Sequence, residues 1–286
     1  MSKKRKRNSI LAYGAIYLCS ALSVVLLAGI ILYVFVKGLG TVNWSFLTSV
    51  TSVLRGTVGI AGNIVNTLII IFLTMIIATP IGVGSAIYLN EYAKPGRLVT
   101  LIEYATETLS GIPSIIFGLF GSIFFGEVLG LGFSLLTGSL TLILMVLPLI
   151  TRNTQEALKT VPMTYRSGAI GLGSGKWHMI RTILIPSAMP GIITGVILAI
   201  GRIVGESAAL LFTAGSAKLL PKTMGQLLAK PLQSGGTLTI QMYLSATSEG
   251  DFKTAFGIAV VLLIIVLLIN LGTKALTKHF DVSRKD

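Results

Sequence analysis

From residue 10 to residue 36 the chain carries no charged side chain, and five further apolar stretches follow along its 286 residues. An α-helix needs about 20 apolar residues to cross a bilayer, so each of these stretches can be a span. Composition agrees: 53% of the residues are hydrophobic, 12% are charged and the mean hydropathy is +0.86, whereas soluble domains carry roughly 25% charged residues. The fold class expected is all-α integral membrane, with spans near 10–36, 63–89, 109–125, 133–151, 187–214 and 254–273. Thirty-two glycines suit such a bundle, because small residues let helices approach closely in lipid.

The charges between the spans orient the chain. The tail 1–9, the turn 94–97, the loop 152–186 and the tail 274–286 hold 16 of the 23 Lys and Arg residues. The loops 37–62 and 215–253 hold 6, and Arg202 lies inside a span. Positive residues collect on the cytoplasmic side, which puts both termini and 152–186 inside the cell, and 215–253 outside it, in a multi-pass protein of the cell membrane. The same distribution accounts for the net charge of +13 without a nucleic-acid partner. The first apolar run exceeds the about 7–15 residues of a signal-peptide core and lacks a small-residue cleavage site, so it reads as an uncleaved span. Cys19, the single cysteine, makes no internal disulfide.

The polar stretch 166–186 reads RSGAIGLGSGKWHMIRTILIP. Val161-Pro162 interrupts one helix and suits the start of another. Gly171, Gly173 and Gly175 make a turn, Ser174 is placed to cap a second short helix through Arg181, and Pro186 ends it. GSGKW glances at a phosphate-binding loop, but Ile170 and Trp177 stand where that motif needs glycine and a hydroxyl residue, so nucleotide binding is excluded here. His178 and His279 lack metal-ligand spacing, and no nucleophile–base motif emerges.

Two charged pairs remain. Glu103 and Glu107 share a helical face within 98–110. They make either an amphipathic lead-in to the third span or an acid–base or metal pair, with no histidine or third carboxylate nearby in sequence to complete a site. Arg202 and Glu206 share a face with Gly195, Ala199 and Ala209, which argues for a bundle-facing surface. A charge at mid-bilayer costs about 2.5–3.5 kcal/mol on insertion scales, so such a pair marks either an ion or substrate path or a structural bridge between helices. In a path, the guanidinium would hydrogen-bond an oxyanion, and Glu206 would hold Arg202 in place and repel anions when the path is empty.

Gly173, nine residues and then Ile183-Leu184-Ile185-Pro186 resemble the closing part of the EAA motif of ABC-importer permeases. Its opening part falls on Ser167-Gly168-Ala169, with Ser167 where the motif carries glutamate. The run YRSGAIGLGSGKW, the segment PGIITGVILAIGRIVGESAALLFTAG at 190–215 and GIPSIIFGLFG at 111–121 are similar to phosphate-transporter permeases of the PstA type. Those read GETAPLLFTA where this chain has Ser207 and Ala209.

The resemblance implies a six-helix ABC-importer permease fold with cytoplasmic coupling helices. Ser167, Gly168, Ala169, Gly173, Lys176, Trp177 and Pro186 would form the element docked on a cytoplasmic ATPase, with Trp177 as an aromatic anchor, and Arg202 and Glu206 would line the substrate path. It further implies inorganic phosphate import by alternating access, with a second permease chain as heterodimer partner. A homodimeric ATPase would hold ATP-Mg, and a soluble phosphate-binding protein would dock on 215–253. The chain itself would bind no cofactor or metal and break no bond. Beside this reading stand the same architecture for molybdate or sulfate, a secondary anion transporter driven through Arg202 and Glu206, and a membrane-embedded enzyme using Glu103 and Glu107.

Overall fold

The computed structural model describes residues 3–52 and 57–280, with side chains over 11–51 and 57–275. Arg55 and part of each basic tail (residues 1, 2 and 281–286) lie outside the described residues. Helix α1 (Lys3–Gly38) contains the first apolar run and stands against the bundle only near its end. There Tyr33 meets Phe256 edge-on at 5.6 Å, and Gly38 lies so close to the Phe256 backbone that a Cβ would clash. The loop that follows is partly ordered by α2 (Trp44–Thr48), capped by Asn43, and by an antiparallel pair, β1 (Val50–Ser52) and β2 (Thr57–Ile60). Threonine and valine suit these strands, which are the only sheet among the described residues.

Helix α3 (Ala61–Ile87) runs on into a π-helical turn, Tyr88–Tyr92, and accommodates Pro80 in its interior. The third expected span is a bent pair instead. Helix α4 (Arg97–Gly111) and α5 (Ser114–Gly121), the latter continued by a π-helical segment to Val128, meet at 103°. The cause is local: Pro113 disfavours helical geometry in Ile112, whose backbone is extended at φ −73° and ψ 131°. Among the described residues, five helices are therefore long and apolar enough to cross a membrane, and six if this pair counts as one span.

Helix α6 (Leu135–Lys159) is the most enclosed of these, capped by Ser134, with Pro148 inside it and its last two turns beyond the expected limit of 151. Close approach explains its place: Gly82 of α3 lies against Ile150, and Gly121 of α5 against Thr141, with no room for a Cβ at either glycine. After α6 come α7 (Met163–Gly171), α8 (Lys176–Met179), a π-helical turn Ile180–Leu184 and α9 (Ile185–Gly205). Pro186 was expected to end the second short helix. It sits instead in the first turn of α9, where its missing N–H costs least, and the helical path runs unbroken from Lys176 to Gly205. Ser174 does not cap α8 either; Gly175 holds that position without a side-chain bond.

The fifth expected span breaks after Gly205, where Glu206 is extended at ψ 126°, and resumes as α10 (Ala208–Thr213). The long loop beyond is built on α11 (Met224–Ala229) and α12 (Leu238–Thr247), and α13 (Phe252–Phe280) closes the bundle. This loop is sewn to the core: Asn63 and Asn66 donate to the Gly236 carbonyl at 2.9 and 3.1 Å, and Leu238 N–H donates to Thr67 Oγ1 at 3.0 Å.

Candidate functional site

Two places collect the residues singled out by sequence. The first is the loop between α6 and α9. Pro162 starts α7, and Gly173, at φ +77°, makes the left-handed turn that reverses the chain toward α8. Ala169 is the one buried side chain of α7, packed with Met179, Ile180 and Leu184. Ser167 returns its hydroxyl to the Met163 and Thr164 carbonyls at 3.2 Å each, Gly168 faces open space, and Lys176 lies over the Tyr92 ring at 4.8 Å. Trp177 is 60% exposed and Leu172 92%, with Met163, Tyr165 and Ile170 exposed as well. A polar, basic loop thus shows an apolar outer surface of the kind that marks an interaction site.

Sequence reading missed what holds this loop. Arg166 donates from Nη2 and Nε to Glu91 Oε1 at 2.8 and 3.3 Å, from Nη1 to the Val161 carbonyl at 2.9 Å and from Nη2 to the Leu158 carbonyl at 3.0 Å. The pair is 13% and 6% exposed. One guanidinium so joins α7 to the end of α3 and satisfies carbonyls left over at the end of α6. Glu91 lies in a short turn far away in sequence, and nothing local announces it.

The second place is the end of α9. Gly195 packs on Asn153, Ala199 is fully buried, and Ala209 lies against Gly118. Those small residues serve helix packing. Arg202 is on the open side, flanked by Gly201 and Gly205, beside which a Cβ would meet nothing within 4 Å. Among the described residues Arg202 has no ion-pair partner. The expected bridge to Glu206 is absent because the helix ends between them. Glu206 Oε1 accepts from Ala209 N–H at 3.0 Å and so caps α10, while its carbonyl accepts from Thr239 Oγ1 at 2.8 Å.

Glu103 and Glu107 line a cleft of about 240 Å³ with Arg152, Glu156 and Lys159. The fold thus supplies the third carboxylate missing from the local sequence, together with two cations. Lys159 bonds Glu156 at 3.2 Å, and no group of three metal-ligating residues forms among the described residues. The cleft is a mixed-charge surface.

On the opposite loop, Lys218 pairs with Glu249 at 3.1 Å, and Ser245 Oγ donates to Glu249 Oε2 at 2.9 Å. Burial pushes the Glu249 carboxyl up, but the bonds from Ser245, Lys218 and Gln241 outweigh it and hold it below its ordinary value. Asp251 is likewise held low by the Thr254 hydroxyl and N–H. Lys230 is only 1% exposed, and burial lowers its ammonium from the usual lysine range.

A basic loop with an apolar outer surface, a broken span with an exposed arginine and five or six candidate spans among the described residues invite comparison with known proteins. Residues 78–285 match the family described as binding-protein-dependent transport system inner membrane component. The chain belongs to this family. It is a multi-pass membrane protein and an ABC transporter permease subunit. It is 39% identical over 211 residues to a probable ABC transporter permease protein, YqgI, of Bacillus subtilis, covering 74% of this chain and 72% of the relative. It is 33% identical over 240 residues to the phosphate transport system permease protein PstA of Xylella fastidiosa, covering 84% and 82%. Among solved structures, a chain of a bacterial alginate ABC transporter in complex with its periplasmic protein superposes with a TM-score of 0.66 at 16% identity, covering 96% and 98%, which shows a shared fold.

Proposed function

We propose that this chain is a permease subunit of an ATP-driven importer of inorganic phosphate. The observation that carries the reading is Arg202: a guanidinium inside an apolar span, exposed on the open side of α9 and without an ion-pair partner among the described residues. A guanidinium fork matches the oxygens of a phosphate, and an intramembrane charge without a partner is poorly explained as structural glue. Glu206, next to it at the break, keeps its carboxylate on the Ala209 N–H of α10 and sets a negative group beside the path. The PstA relatives support phosphate as the substrate class.

In this reading a second permease chain forms a heterodimer with this one and closes the open flank of α9. A homodimeric cytoplasmic ATPase, which holds ATP-Mg, docks on the loop that presents Trp177, Leu172 and Ile170. A phosphate-binding protein delivers its cargo to the face built by 215–253, and both termini are cytoplasmic. This chain binds no cofactor and breaks no bond; it moves between inward and outward access as the ATPase displaces α7 and α8. The test is ATP-dependent uptake of labelled phosphate into vesicles holding the assembled complex. Uptake competed by excess phosphate and not by molybdate supports the reading; competition by molybdate alone overturns the substrate.

A further inference from the structure

We infer that the Glu91–Arg166 pair is a mechanical link, and that α3 is the rod it drives from the coupling loop to the outer loop. The inference rests on the permease reading above. Helix α7 has little else to hold it: Ala169 is its one buried residue, and the apolar side chains around it face outward. Arg166 supplies the grip through four donated bonds, two to Glu91 and one each to the Leu158 and Val161 carbonyls. Asn90 Nδ2 adds a bond to the same Glu91 oxygen at 2.7 Å, which fixes the carboxylate toward the loop. The next residue, Tyr92, lies under the Lys176 ammonium, so one turn of chain holds both α7 and α8.

That turn is continuous with α3, whose 27 residues form one unbroken helix of about 40 Å. At the far end, Asn63 and Asn66 donate to the carbonyl of Gly236, Asn66 also to that of Ala217, and Thr67 accepts from Leu238 N–H. Every one of those partners belongs to the outer loop between α10 and α13. Displacement of α7 therefore moves the end of α3 through a short, charged, buried contact, and α3 delivers it to the outer loop without passing through the open flank where Arg202 sits. Ser167, where relatives of the motif carry glutamate, bonds only to its own helix, so the charged contact of α7 is made by its neighbour Arg166.

The experiment uses the full complex in vesicles with the substrate-loaded binding protein. Glu91→Gln keeps shape and an acceptor oxygen but drops the charge; Arg166→Lys keeps the charge but loses the fork. Both variants are expected to purify at wild-type subunit stoichiometry, with phosphate imported per ATP hydrolysed lowered about tenfold for Glu91→Gln and less for Arg166→Lys. Stimulation of hydrolysis by the loaded binding protein should fall in parallel. An unchanged import-to-hydrolysis ratio in either assembled variant overturns the link, as does loss of the complex in both, which makes the pair structural only. Failure of the permease reading is distinguishable, since the wild-type complex would then show no ATP-dependent uptake at all.

Discussion

Arg166, in α7, and Arg202, near the end of α9, meet opposite environments. Arg166 is largely covered beside Glu91 and donates to a carboxylate and two carbonyls. Arg202 is exposed, flanked by two glycines, and has no ion-pair partner among the described residues. A guanidinium that places four hydrogen bonds on its own chain holds that chain together. One that is exposed within an apolar span and makes no such pair is poorly explained as structural glue. The same side chain thus ties the α6–α9 loop to α3 at one site and stands without an ion pair among the described residues at the other.

Substitutions at the two sites should diverge accordingly. The largest effect is expected on transport: Arg202→Gln should lower phosphate uptake by the assembled complex roughly a hundredfold or more, with thermal unfolding shifted by less than about 0.5 kcal/mol. Wild-type uptake in that variant would erase the contrast. Arg166→Ala reverses the pattern, because it strands a buried carboxylate. Unfolding of the purified protein in detergent should show a loss of about 3–5 kcal/mol, and a loss under 1 kcal/mol would mean that Glu91 finds water.

Within the loop between α6 and α9, Gly173→Ala should cost about 1–2 kcal/mol because the residue sits at φ +77°. Gly168→Ala, helical and facing open space, should be neutral or gain up to ~1 kcal/mol. Equal effects at the two glycines would show that the turn is not left-handed. A further charge sharpens the comparison: Lys230 is as buried as a core leucine, so Lys230→Met should raise stability by about 1 kcal/mol. The smallest effect concerns pH. Glu249 is held below its ordinary value, so its contribution is fully present above about pH 4.3. It should fade as pH falls through the lowered value, and Glu249→Gln should flatten that acid limb of the unfolding profile.

Much of this was legible in one dimension. Hydropathy is a sum over neighbouring residues, so the stretches 10–36 and 254–273 lie within α1 and α13, and 63–89 and 133–151 fall on α3 and α6 except for their outermost residues. Local stereochemistry announced the Val161-Pro162 interruption and the turn at Gly173. It also carried the signal for the bend at Ile112-Pro113, which was hidden because the surrounding residues are apolar enough to read as a span.

Other features exist only in three dimensions. The break at Glu206 depends on Thr239, from a distant loop, which takes up the carbonyl freed there. An i,i+4 spacing predicts a shared face only while the helix continues, and this helix stops between Arg202 and Glu206. Glu156 joins Glu103 and Glu107 because α4 folds back beside α6. Glu91 meets Arg166 because two helix ends arrive at one point. The sequence by itself determined that this chain lives in a bilayer, about how often it crosses, and which loop is basic, since these follow from the solvation of neighbouring residues. Which charges are paired and which are free was decided only by the tertiary structure, because pairing depends on distances between segments far apart along the chain.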